Sequence, residues 1–326
     1  MSREKEGMNV FAAILPDCHY SGGGAGNIVD LLQEWGVRVL PCGVWNPTQD
    51  HNSRILYNQW RQGFVNDKHM VMGYGTPAYV KYYTHAGEHI FRANETARLP
   101  DRNVESDLIR HIGCLAEEVD ILIVADYDES GKGILTPLVL DYIRREVKCT
   151  TIGMSRKRIR RLRACNYLIL DEEELANETD PDSDIDRISR IFDLFLMNQA
   201  ESIIVTLRGK GAAIYSWDWD KRHLPVGRAE IVETLVSSQE LGGIINPCGC
   251  GDTFAAGFAT CLAAGMTKVE AIKRGNAAAR VQCTNLYGAG LVKNGAWEYE
   301  YALLYGKKEE GQSHEKTNSD DIIAVK

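Results

Sequence analysis

Residues 246–276 read NPCGCGDTFAAGFATCLAAGMTKVEAIKRGN, from Asn246 to Asn276. The stretch opens on a turn of small residues, Pro247-Cys248-Gly249-Cys250-Gly251, followed by Asp252. Phe254, Phe258, Cys261 and Leu262 then recur at helical spacing, so the turn feeds a helix start. The first amides of a helix lack internal partners and point outward as donors, and the macrodipole adds partial positive charge there. A glycine turn running into a helix is therefore an anion cradle, typically for phosphate. Asp252 stands at its mouth. A carboxylate repels a phosphate unless it has a task, such as taking the proton of a hydroxyl that attacks phosphorus. The same residues also read as an ordinary helix cap, and spacing alone leaves the two readings level.

The rest of the chain places this stretch near the end of a long α/β pattern. Its 326 residues suffice for one large α/β domain or two small ones. Hydrophobic content of 44% and charged content of 25% are those of a globular protein. The net charge of −8 argues against a general nucleic-acid surface. Nine cysteines without a C-x-x-C pair point to reduced thiols in an intracellular protein. The charged start MSREKEGMN lacks the apolar core of a signal peptide. No apolar run approaches the roughly 18 residues of a membrane span. A cytoplasmic location is expected.

Apolar runs at Val10–Leu15, Val37–Trp45, Val119–Ala125, Thr150–Met154, Asn166–Leu170 and Ser202–Leu207 read as strands, the last followed by AAIYSW. Helical spacing follows Asn27 and recurs at Ile55–Trp60, over Asp182–Asn198 and over Lys268–Cys283. This alternation predicts an α/β protein with three α/β/α layers and a mostly parallel sheet. Tyr79–Thr84 and His89–Arg92 flank His85-Ala86-Gly87-Glu88, a hairpin signature inserted as a small β lid. The lid is expected to draw on about 9–20 and 70–95. Residues 1–305 read as a single domain, and the polar tail 306–326 reads as disordered. Residues 222–245 are poorly patterned.

Several short motifs carry candidate chemistry. SGGGAGN, Ser21–Asn27, lacks the G-x-G-x-x-G spacing of a dinucleotide fingerprint. Strand Val119–Ala125 ends at Asp126 and runs into DYDESGKGIL. Loops at the C-terminal ends of parallel strands carry ligands in open sheets, so Asp126 and Lys132 are candidates, with a capping Asp and a solvated Lys as the plain alternative. Gly131-Lys132-Gly133 is not a P-loop. SRKRIRRLR, Ser155–Arg163, reads first as a solvated helix face and second as a phosphate contact. Asp171-Glu172-Glu173-Glu174 reads as an acidic first helical turn favoured by the dipole.

Taken in order, these motifs resemble those of the ribokinase-like (PfkB) carbohydrate kinases. The opening stretch is similar to the family signature D-T-x-G-A-G-D-x-F, matching at Gly249, Gly251, Asp252 and Phe254 and departing at Asn246, Cys248 and Cys250. Asn276-Ala277-Ala278-Ala279 resembles the N-A-A-A segment that follows it. SGGGAGN resembles the G-G-x-x-N sugar motif, DYDESGKG the D-Y-x-K-G-x-L loop of heptose-phosphate kinases, and Thr206–Gly211 the T-x-G-x-x-G hairpin beside the nucleotide. Tyr287-Gly288-Ala289-Gly290 resembles the closing loop near adenine.

The resemblance implies an ATP-dependent kinase acting on a sugar or sugar-phosphate hydroxyl. Among the branches it looks most like the heptose-7-phosphate kinase domain of ADP-heptose biosynthesis. Asp252 would be the base, with the amides of Gly249, Cys250 and Gly251 as the anion hole. Gly23, Gly24, Asn27, Arg92, Asp126 and Lys132 would meet the sugar. Thr206, Gly209, Gly211, Asn276 and Gly288 would meet ATP, and Glu174 with Asp171 would serve Mg²⁺. Asn246 stands where cation-dependent relatives carry Asp, which puts a monovalent cation in doubt. In the family the lid covers the sugar and often forms a homodimer contact. The resemblance starts after the family's first strand, which leaves a second reading open: a catalytically degenerate member that binds nucleotide or sugar as a regulatory or partner subunit.

Overall fold

The computed structural model describes residues 23–63, 65–83, 89–95, 98–128, 130–163, 165–177, 186–217, 231–239, 247–284, 292–293, 295–306 and 322–325. The expected strand Val10–Leu15, Asn246 and the loop carrying Gly288 lie outside these residues.

The main sheet starts from β5 (Ile121–Asp126), β6 (Thr150–Ser155), β7 (Tyr167–Asp171) and β8 (Ser202–Thr206), which pair in parallel in that order. β9 (Gly211–Trp217), β10 (Ile231–Ser237) and β11 (Ile322–Val325) continue it antiparallel. β1 (Cys42–Trp45) and β2 (His69–Met72) form a separate parallel pair, and β3 (Tyr79–Tyr83) with β4 (His89–Asn94) form the lid hairpin.

Side chains alternate across a strand with period two, and here both faces are buried. Ile152, Met154, Tyr167, Ile169, Ile204 and Ile214 face one way. They pack on α1 (Gly23–Glu34), α7 (Cys250–Ala263), α8 (Lys268–Cys283) and α9 (Ala296–Tyr305) through Ile28, Leu31, Phe254, Phe258, Ile272 and Trp297. Leu168, Leu170, Ile203, Val205 and Tyr215 face the other way. They meet α3 (Arg102–Ala116), α4 (Pro137–Glu146) and α6 (Arg187–Asn198) through Ile112, Val139, Ile143, Leu194 and Phe195. Strands buried on both sides read as near-continuous apolar runs, which is how SIIVTL and NYLIL present themselves. The result is the expected three-layer α/β/α architecture with a small β lid.

Four local expectations are corrected. Residues 70–72 are not lid: they lie in β2, which pairs with β1, and Val71 packs against Val44, Val104 and Leu108. The basic run is not a helix face; it holds a short 3-10 turn, Ile159–Arg161, with Ile159 and Leu162 buried. β10 lies inside the poorly patterned 222–245, where the pairing partner β9 supplies what periodicity lacks. Residues 322–325, inside the expected disordered tail, form β11 because the short run Ile322-Ile323-Ala324-Val325 covers the edge of β10.

Candidate active site

The parallel strands end along one edge. Asp126 closes β5 beside Ser155 of β6, and Asp171 closes β7 beside Thr206 of β8. In open α/β sheets ligands bind outside this edge. The N-termini of α1 and α7 carry the groups that converge with these strand ends.

Gly249 (φ 82°) caps α7, and Cys250, Gly251 and Asp252 form its first turn. Thr253 ties the turn to Gly249, its amide and hydroxyl both donating to the Gly249 carbonyl at 2.9 and 2.8 Å. The helix then sinks into the core through Phe254 and Phe258. Asp252 is only 7% exposed, and a buried carboxylate needs donors. Asn27 Nδ2 donates to its Oδ2 at 2.8 Å, and the Tyr127 hydroxyl donates to its Oδ1 at 2.6 Å. Asn27 sits one turn into α1, whose first residues are Gly23 (φ 64°) and Gly24. A Cβ on Gly24 would lie 2.2 Å from the Tyr127 ring, so glycine there lets the ring reach Asp252. Burial, and then the Asp252 carboxylate, hold the Tyr127 phenol well above its ordinary pKa; it stays a proton donor at neutral pH.

Among the described residues, two acceptors at this site are buried without a hydrogen-bond partner: Asn27 Oδ1 and Asp126 Oδ2. Asp126 is 5% exposed, and burial raises its pKa against the pull of Arg158, whose Nη2 lies 3.5 Å from Oδ1. The loop after it is organised by Asp128, which accepts from the Ser130 amide and hydroxyl and from the Gly133 amide at 3.0, 2.6 and 2.8 Å. Arg158 adds an ion pair to Asp128 at 3.0 Å and a hydrogen bond to its carbonyl. Lys132 is exposed on this loop. Arg92 lies opposite Lys81 in the lid, and its side chain is outside the described residues.

Asp171 and Glu174 cap α5 (Glu172–Asn177) reciprocally. The Glu174 amide donates to Asp171 Oδ1 at 2.7 Å, and the Asp171 amide donates to Glu174 Oε2 at 2.9 Å. Burial, then the Asp171 charge, push Glu174 up to about 7, and Asp252 adds to that shift. A half-buried pair of mutually repelling carboxylates with one oxygen each committed to a cap suits a hard divalent cation. Among the described residues no three His, Cys, Asp or Glu side chains converge on a metal position, so such an ion would take its remaining ligands from water and from a bound nucleotide.

Thr206 ends β8 next to Asp171, and Gly209 and Gly211 lie in the hairpin that joins it to β9. Gly211 has φ 106°, and a Cβ there would meet the Val236 carbonyl at 2.1 Å, so the hairpin itself demands this glycine. Asn276 is buried. Its Nδ2 donates to the Val236 carbonyl and the Tyr305 hydroxyl at 3.3 and 3.2 Å, tying α8 to β10 and α9.

The structure thus brings Asn27, Asp252 and Tyr127 into direct contact, with Glu174 within electrostatic reach. Tyr127, Arg156 and Arg158 were not singled out individually from the sequence. Tyr127 carried a signal, its place in the D-Y step after β5. The two arginines were hidden in a run that reads as solvated. Arg158 is largely buried, and exposed Arg156 acts electrostatically on both Tyr127 and Glu174.

Solved structures share the fold. They include the Burkholderia thailandensis nucleoside kinase in complex with inosine (TM-score 0.63, 14% identity, 90% of this chain and 91% of that one). The Arabidopsis thaliana ribokinase with ribose and ATP superposes with a TM-score of 0.63 at 13% identity, covering 86% and 87%. The Escherichia coli phosphofructokinase-2 with potassium does so with 0.64 at 13%, covering 89% and 92%. Among curated relatives, the bifunctional protein HldE of Pelobacter propionicus is 24% identical over 310 residues, which is 93% of this chain and 59% of that protein. HldE of Bradyrhizobium sp. is 26% identical over 269 residues, 79% of this chain and 51% of that protein. The chain therefore spans little more than half the length of the curated relatives it matches. The model of the pfkB family carbohydrate kinases matches residues 14–291. The chain belongs to the pfkB family of carbohydrate kinases, enzymes that transfer a phosphoryl group from ATP.

Proposed function

We propose that this kinase phosphorylates a hydroxyl of a sugar phosphate, a heptose 7-phosphate in first place, with Asp252 as general base. The observation that carries the reading is the environment of Asp252. It is a buried carboxylate in the first turn of α7, held from two sides by Asn27 and Tyr127. The two orphaned acceptors, Asn27 Oδ1 and Asp126 Oδ2, suit the hydroxyl donors of a sugar.

The acceptor hydroxyl takes over the Tyr127 position on Asp252 Oδ1, and Asp252 removes its proton as the oxygen attacks phosphorus. The amides of Gly249 and Gly251 receive the charge of the transferred group, joined by that of Cys250 once it leaves the Pro247 carbonyl it meets at 3.3 Å; one such donor typically contributes about 10²–10³ in rate. Thr206 and Gly209 lie along the nucleotide. Asp171 and Glu174 would hold Mg²⁺, which supplies charge neutralisation at the phosphates when bound. Arg156, exposed beside Tyr127 and Glu174, supports a phosphorylated acceptor.

ADP release from Mg-ATP over a panel of sugars and their phosphates tests this. Preference for a heptose 7-phosphate, by kcat/KM, is the expected result. Preference for an unphosphorylated sugar or a nucleoside would overturn the acceptor while leaving the kinase.

A further inference from the structure

Helix α7 begins with a cysteine, helix α8 ends with one, and their sulfurs meet. Cys250 Sγ and Cys283 Sγ lie 2.8 Å apart although 33 positions separate them in the chain. Both are thiols and both are partly exposed. A disulfide has a sulfur–sulfur distance near 2.05 Å, so bonding asks the two atoms to close by less than about 1 Å. The reactivities differ. The hydrogen bond from Cys250, with help from the Arg280 charge, holds Cys283 below the ordinary thiol range, whereas that same contact and burial push Cys250 up. Cys283 is then the sulfur with more thiolate at neutral pH. The consequence for the site is positional, because Cys250 is the first residue of α7 and sits two before Asp252.

We propose that Cys250 and Cys283 are an oxidative modification site, forming a reversible disulfide that distorts the anion-binding turn and stops turnover. The oxidant is a hydroperoxide. The Cys283 thiolate attacks one peroxide oxygen, the O–O bond breaks, hydroxide departs, and Cys283 becomes a sulfenic acid. The Cys250 sulfur then attacks the Cys283 sulfur. The S–O bond breaks, the S–S bond forms, and the Cys250 proton leaves with the hydroxyl as water. Two sulfurs lose two electrons and the peroxide gains them. A misplacement of about 1 Å in such a site costs on the order of 10²-fold in rate. The bond itself depends only on the cysteine pair; its effect on turnover rests on the proposed function.

The test treats the full chain with a small excess of hydrogen peroxide and maps disulfides by mass spectrometry of non-reduced digests. It follows turnover with Mg-ATP and the best acceptor in parallel. The expected result is a Cys250–Cys283 crosslink, a loss of at least 10-fold in kcat, and recovery with dithiothreitol. Cys283→Ser keeps full activity when reduced and resists the loss; Cys283→Ala serves if the serine variant melts early. A bond to Cys248 instead, or sulfinic acid at Cys250 without a crosslink, would overturn the site. A crosslink with unchanged kcat would overturn the switch. If the reduced protein turns over no acceptor, the proposed function fails, while digest mapping still decides the bond.

Discussion

The side-chain amide of Asn27 donates to Asp252 Oδ2 at 2.8 Å, joining helix starts that lie 225 positions apart in the chain. One end of the amide grips Asp252 and the other, Oδ1, is a buried acceptor without a partner among the described residues. Asn27→Ala removes both. The expected outcome is a fall in kcat of about 10- to 100-fold together with a raised acceptor KM. Steady-state kinetics on the preferred acceptor checks it, and an effect on ATP KM alone would contradict it.

Gly24 and Tyr127 are coupled by contact. Gly24→Ala drives a Cβ into the tyrosine ring, which costs about 1–3 kcal/mol for an overpacked site and pulls the phenol off Asp252. The same change in a Tyr127→Ala background meets no ring and is expected to cost little more. A double-mutant cycle by denaturant unfolding gives a coupling above about 0.5 kcal/mol if the contact is as described. Additive costs would refute it.

Glu174 is pushed up to about 7, first by burial and then by Asp171. Its folded pKa thus exceeds its unfolded value of 4.5. Between these values the folded state binds more protons, so stability falls as pH rises through the window. Glu174→Gln keeps an acceptor for the Asp171 amide and removes the charge. The stability difference, variant minus wild type, is expected to grow from pH 4.5 to about 7 and then level off, reaching a few kcal/mol at most. Urea melts across that range measure it; a difference that stays flat would show that Glu174 ionises freely.

Arg156 stands exposed where its charge reaches Tyr127 and Glu174. Arg156→Ala is expected to raise KM for a phosphorylated acceptor about 10-fold and to leave KM for its unphosphorylated counterpart within about twofold. Equal effects on both acceptors would remove the phosphate contact from the account.

The fold was legible because its strands are buried on both faces and announce themselves as apolar runs, with β7 and β8 the clearest cases. β10 was not legible, since Ile231, Val232 and Val236 owe their strand to pairing with β9. The turn at Gly249–Asp252 and its carboxylate at the start of α7 were readable because glycine, carboxylate and helix start follow within a few positions. Tyr127 was not, because what matters about it is a contact with Gly24 and Asp252, remote in sequence. Arg158 read as solvated because a run of like charges normally is; two acidic residues of the preceding strand and loop, Asp126 and Asp128, draw it inward. The hydrogen bonds from the Asn276 amide to Val236 and Tyr305 were not legible either, because both partners are remote in sequence.

The central claim is that Asp252 takes the proton of the attacking hydroxyl. Asp252→Asn keeps the size of the side chain, so the variant should fold and bind ATP with an affinity close to that of the wild type by calorimetry. Its kcat should fall by about 10²–10⁴, the usual contribution of a general base. Turnover within about threefold of the wild type, with ATP binding intact, would contradict the account.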